Sequence, residues 1–317
     1  MAMGTCMKLN LRLVMAFVAM VVVQSCKEQT DRVSKDVALA EEKVEQSPKK
    51  ALTDTFKEYW YAGEAEITSY KLQQARYGET RDGHAVLIYV TEPFLPTKQV
   101  KADENHPDNV SVLKLNSTKN YLTGIYPYSI MSSSFYPVYD NQHAIKVSFS
   151  AQEWCGHVYA QVNNREKFEI MSHSYFENEA DQNFTLEKTI LENELWNKIR
   201  INPEELPVGT FDVIPSLEYI RLSHRQLKAY SATLSLSRNN ETTSYEITYP
   251  ELQRTLKITF SNTFPFIIES WSETFKSGFG ENARPLTSTA TKMKTLKTPY
   301  WRQNGNKDLS LRDSLGL

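Results

Sequence analysis

From about Phe56 onward, apolar and polar residues alternate with a period of two, in short runs separated by polar turns. Alternation of this kind sends successive side chains to opposite faces of an extended chain, so each run predicts a strand with one buried face. Ile67, Tyr70, Leu72 and Tyr77 lie in one such run. It reaches "GETRDG", and "HAVLIYVTE" follows, so Gly78 to Gly83 read as a hairpin loop. Further strands are predicted over residues 110–115, 121–128, 144–150, 154–162, 167–176, 229–237, 244–249, 255–260, 266–273 and 289–296. Pro96, Pro107, Pro203 and Pro207 fall between them, where a missing N–H does no harm. The fold class that follows is mainly β, with large antiparallel sheets, curved or sandwich-like.

One segment departs from this period. "FTLEKTILENELWNKIR" sets Leu186, Ile190, Trp196 and Ile199 near one side, widened by Leu191 and Leu195, which predicts a helix over residues 185–198. It separates a first β-rich part, residues 51–184, from a second, residues 209–301, with 185–208 as helix and connection. The polar tail, 302–317, reads as loose.

The front of the chain has another pattern. Lys8 and Arg12 precede an apolar run from Leu13 to Val23, which is too short to span a bilayer and has the length of a signal-peptide core. Val23-Gln24-Ser25-Cys26 resembles a bacterial lipobox, which implies cleavage after residue 25 and acylation of Cys26. Acyl chains contribute about 0.8 kcal/mol of membrane affinity per buried methylene, so such a chain needs no membrane-spanning helix to stay at a membrane. Residues 27–50 are half charged and without aromatics, the composition of a solvated tether with a reach of roughly 30 Å. The expected location is the cell envelope, as an outer-membrane lipoprotein facing the periplasm or the exterior.

Charge narrows the partners. The formal net charge is −2, and loss of Lys8 and Arg12 takes it to −4, which leaves no electrostatic footprint for nucleic acid. Of the three cysteines, Cys6 leaves with the signal and Cys26 is lipidated, so the body keeps one thiol, Cys155, and no internal disulfide.

That thiol lies in "AQEWCGHVYAQ". Pairing its strand with the next so that Val162 faces Phe168 keeps one apolar face and aligns His157 with His173 and Cys155 with Tyr175 on the other. Cys155, His157 and His173, with Glu153 or Glu177, form a candidate metal or thiol site that would suit zinc. The competing reading is a half-solvated sheet face that requires no cofactor. Gln152 has the wrong strand parity to assist Cys155 as an oxyanion donor, which weakens a cysteine-hydrolase reading.

Aromatics supply a further candidate. Tyrosines and phenylalanines crowd residues 121–139 and 264–271, and a curved sheet lined in this way can hold an apolar ligand. Tyr159, Tyr175 and Trp271 are the candidate ligand surface. The expectation is a non-catalytic protein that binds an apolar ligand or an envelope protein. Its rival is an enzyme centred on Cys155, His157 and His173.

"YWYAG" at Tyr59 to Gly63, "QEWCGHVYAQ" and "NREKFEI" resemble a group of uncharacterised envelope lipoproteins, some labelled septum formation inhibitor Maf. Maf pyrophosphatases themselves are cytoplasmic α/β proteins with an early Ser-x-Arg-Arg segment. No Arg-Arg pair occurs in this chain.

Overall fold

The computed structural model describes residues 51–317, which fall within one compact unit. The signal segment, Cys26 and the tether expected for residues 1–50 lie outside the described residues. The described chain is mainly β, and its strands join a single open sheet of 16 strands.

The first half supplies a short helix α1 (Asp54–Trp60) and then nine strands. They are β1 (Ala65–Arg76), β2 (Glu79–Leu95), β3 (Val100–Lys101), β4 (Val110–Thr123), β5 (Tyr126–Pro137), β6 (Lys146–Glu153), β7 (Gly156–Asn164), β8 (Phe168–Ser174) and β9 (Gln182–Leu186). The second half has β10 (Ile190–Leu191), helix α2 (Glu192–Ile201), β11 (Gly209–Ile214) and helix α3 (Leu217–Ser223). It continues through β12 (Tyr230–Arg238), β13 (Thr242–Tyr249), β14 (Arg254–Ser261), β15 (Ile268–Ser277), β16 (Arg284–Thr298) and a last short helix α4 (Ser310–Ser314). β1 pairs with both β2 and β16, so the two β-rich parts are one sheet, running from β10 at one edge to β9 at the other. The neighbouring strands are antiparallel except β10 and β11, which makes the sheet mixed. No helix among the described residues is long and apolar enough to cross a membrane.

Helix α2 is the pivot of the fold, and polar contacts fix it at both ends. Near its start, Glu192 takes Arg254 of β14 in a fork, with Nη2 to Oε1 at 2.7 Å, and Tyr249 donates to the same carboxylate at 2.7 Å. At its end, Arg200 forks onto Glu66 of β1, with both N–H···O contacts at 2.7 Å, and donates through Nε to the Pro265 carbonyl at 2.8 Å. In between, Asn197 donates to the Leu113 carbonyl of β4, and Glu194 accepts from the Ala144 N–H just before β6. Strands β1, β4 and β14 and the segment before β6 are thus all tied to one helix. Leu195 and Ile199 are fully buried between them.

The sequence-predicted helix is corrected in position. Residues 182–186 and 190–191 are strand, and α2 starts at Glu192 and ends at Ile201. Phe184, Leu186 and Ile190 share strand parity as well as helical spacing, and β9 satisfies the edge of β8 through Ile170 opposite Phe184. The hairpin predicted at residues 78–83 is also shorter. Tyr77 (φ 55°) and Gly78 (φ 77°) alone make the turn, and Glu79–Gly83 continue β2. Two successive positive φ values give the turn whose twist matches that of the flanking strands.

The polar tail, expected to be loose, folds back on the sheet. Leu315 is buried with Ala65, Ile67, Val86 and Val90, and Ser69 donates its hydroxyl to the Leu315 carbonyl.

Candidate functional site

The residues singled out in "AQEWCGHVYAQ" do not converge. Val162 lies opposite Ile170, not Phe168, because Arg165–Lys167 make a three-residue loop and pairing begins at Asn164 with Phe168. The partners therefore slide by two positions, which keeps every side chain on its expected face. His157 lies opposite Gln152, while Tyr159 is the partner of His173. Cys155 and Trp154 form the β6–β7 turn, outside the strands. Cys155 is exposed, its N–H donates to Glu153 Oε2 at 2.6 Å, and that carboxylate pushes the thiol above its ordinary range. This is the wrong direction for a nucleophile. His173 places Nδ1 3.1 Å from Asp181, and Glu177 is exposed on the following loop. Among the described residues, no group of three or more His, Cys, Asp or Glu side chains is placed to hold a metal ion.

The proposed aromatic surface is also divided. Trp271 is buried on the inner face, its ring 4.8 Å from that of Tyr70 and 5.4 Å from that of Trp196. Tyr159 points to the outer face and donates to Gln161 Oε1 at 2.7 Å. Tyr175 is exposed and lies across Gly156, where an added Cβ would meet its ring at 3.0 Å.

The inner face carries a small cavity and a large one. The small one, of about 50 Å³ beside α2, is lined by Ser132, Lys119, Glu218, Arg254 and Glu273. Its charges are already matched: Lys119 donates to Glu218 at 2.7 Å, and Arg254 Nε to Glu273 at 2.7 Å. Space of that size suits a few waters bridging polar walls.

The larger cavity, about 770 Å³, is of another kind. Its floor is made of alternate inward residues of neighbouring strands: Phe149 of β6, Val158 and Ala160 of β7, and Phe184 of β9. Its roof is α3, through Leu217 and Ile220, with Leu227 beyond. Ser216 caps α3, accepting from the Tyr219 N–H at 3.2 Å, and His224 ends it in the left-handed conformation. The helix packs over β6, and β9, the last strand of the sheet, lines the same space through Gln182 and Phe184.

The mouth is polar. Glu179, on the loop after β8, accepts from Ser174 at 2.8 Å and Arg221 at 3.0 Å, and sits 2.8 Å from His224 Nδ1. Partial burial pushes the Glu179 carboxyl up, but His224, Ser174 and Arg221 together hold it below its ordinary range. Arg221 also stands over the Phe176 ring, 4.4 Å from its centre.

Strand direction places the β1–β2, β4–β5, β6–β7 and β15–β16 turns and the loop after β8 at the mouth end of the sheet. Tyr77, Leu122, Ile125, Trp154, Tyr175 and Phe279 are all exposed at that end. Tyr77 meets Phe279 with ring centres 6.1 Å apart, and Tyr126 stacks on Trp154. Large apolar side chains grouped at one exposed end call for an explanation that scattered ones do not.

No family model and no curated protein matches the sequence. Among solved structures, Aeromonas veronii immune modulator A aligns at 10% identity over 77% of this chain and 96% of its own. The TM-score of 0.15 is too low for that likeness to carry any argument.

Proposed function

We propose that this chain is a lipid-anchored cell-envelope protein whose β-rich body takes up an apolar ligand, without catalysis, in the cavity under α3. The cavity carries the reading. Its volume of about 770 Å³ lies within the range of small-molecule sites, roughly 300–1,000 Å³, and its apolar floor with a few polar groups at the mouth has their composition. The exposed aromatics around the mouth support a ligand that comes from a bilayer. Tyrosine and tryptophan suit a boundary that is apolar on one side and wet on the other. The lipobox at Cys26 would keep that mouth within reach of a membrane.

The test is solvent extraction of the purified protein, followed by mass spectrometry of what it carried, alongside Ala160→Trp. Ala160 faces the cavity from the floor, so an indole there fills ligand space. A bound apolar molecule that is lost in the variant, with melting temperature held, supports the reading. An empty protein that also takes up no added apolar probe defeats it. Metabolic labelling with a fatty acid, lost in Cys26→Ser, tests the anchor separately.

A further inference from the structure

Arg221 is nine-tenths buried at the side chain, yet its pairing is incomplete. Nη1 donates to Glu179 Oε1, but Nε is buried and has no hydrogen-bond partner. The 3.2 Å approach of Nη1 to His224 Nδ1 does not help. If that ring nitrogen carries the proton it gives to Glu179, it cannot also accept from a guanidinium. A buried N–H left unmade is costly, and the residue lines the large cavity. Arg225 lines it too, is exposed, and makes no ion pair among the described residues. The mouth thus has two guanidinium groups and an imidazole against the single carboxylate of Glu179.

We infer that the ligand is an anionic amphiphile, its chain on the floor of Phe149, Val158 and Phe184 and its carboxylate or phosphate head at Arg221 and Arg225. This rests on the reading of the cavity as an apolar ligand site and adds the charge of the head. Arginine suits the role because its planar fork matches the oxygens of a carboxylate or phosphate, and such charge-assisted bonds strengthen where water is partly excluded. The ligand would take the guanidinium donors that protein partners leave unmet, while Glu179 keeps Nη1 in place. The same chemistry covers a free fatty acid and the head of a phospholipid or lysolipid.

The experiment is calorimetric titration of the chain from residue 26 onward, carrying Cys26→Ser, with four probes that share a twelve-carbon chain. These are dodecanoate, dodecyl phosphate, dodecanol and dodecylammonium, with inorganic phosphate as a competitor. The two anions are expected to bind at least about tenfold tighter than dodecanol, the factor one charge-assisted bond supplies. Preference for dodecanoate points to a fatty acid and preference for dodecyl phosphate to a phospholipid head. Arg221→Gln should remove the anion preference and leave dodecanol binding within about twofold. Arg225→Gln, at an exposed position, should weaken it in the same direction and guards against a folding defect in the first variant. Equal binding of anions and dodecanol overturns the inference and leaves the apolar site standing. Anion preference that survives both substitutions, or displacement of dodecanoate by inorganic phosphate alone, also overturns it. No binding of any probe overturns the cavity reading and this inference together.

Discussion

Helix α2 is held to β1 by a buried ion pair, and removing one partner should cost far more than removing both. Arg200 and Glu66 are 1% and 0% exposed at the side chain and share two 2.7 Å contacts. Arg200→Met takes away the guanidinium on that carboxylate and leaves Glu66, among the described residues, with the Tyr59 hydroxyl and a distant Lys297. An uncompensated buried charge costs about 3–5 kcal/mol. For a chain of this size that corresponds to a melting temperature lower by roughly 10 °C. Glu66→Gln with Arg200→Met removes both charges and keeps an acceptor for Tyr59, so the double variant should recover most of the loss. The assay is chemical unfolding of the two single variants and the double, at pH 7 and at pH 5. Acidification should narrow the deficit of Arg200→Met, because its lone buried carboxyl is raised and binds a proton more readily folded than unfolded. The native protein behaves oppositely. Burial pushes Glu66 up, but Arg200 outweighs it and the folded value lies below the ordinary one. A double variant as unstable as the two single losses added together would refute the pin, as would a single loss under about 1 kcal/mol.

Four further outcomes can be checked. Stability should fall as pH drops below about 4.3, through the lowered values of Glu66 and Glu192, since the unfolded chain binds their protons first; a pH series of thermal melts should lose part of that slope in Glu66→Gln. Leu315→Ala should lower stability by about 2 kcal/mol by thermal melt, because the leucine plugs the patch formed by Ala65, Ile67, Val86 and Val90. Cys155 should alkylate more slowly at pH 7 than a free cysteine of equal exposure and faster in Glu153→Gln, as followed by iodoacetamide mass shift. Cys155→Ser should leave ligand binding unchanged in the calorimeter, since the thiol lies in a turn outside the cavity lining.

What the sequence reveals here depends on what period two can and cannot encode. β12 to β15 and β6 to β8 were legible because one face of each is buried and the other solvated, as in Tyr245, Ile247 and Tyr249 of β13, all fully buried. The same period is blind to an even slide. Val162 opposite Phe168 and Val162 opposite Ile170 bury identical side chains, and only the length of the loop at Arg165–Lys167 separates them. The Cys155–His157–His173 reading depended on that distinction. The β4–β5 turn lay inside a run read as one strand. Tyr121 and Tyr128 have opposite parity in such a run, and it is the reversal between Thr123 and Tyr126 that brings both inward and stacks the two rings 5.0 Å apart.

The cavity was illegible for a different cause. Each of its walls reads as ordinary core: alternate residues of three strands, and a seven-residue helix too short to show a period. α3 did carry a local mark, Ser216 ahead of Leu217 and Ile220, which is a cap before an apolar stripe. Nothing in that mark says that the stripe borders a cavity as well as the core. That depends on which strands pairing brings under α3, namely β6, β7 and β9, the last at the edge of the sheet. The position of Arg221 follows from the same geometry, since one turn of α3 beyond Leu217 puts a guanidinium at the boundary between that room and water.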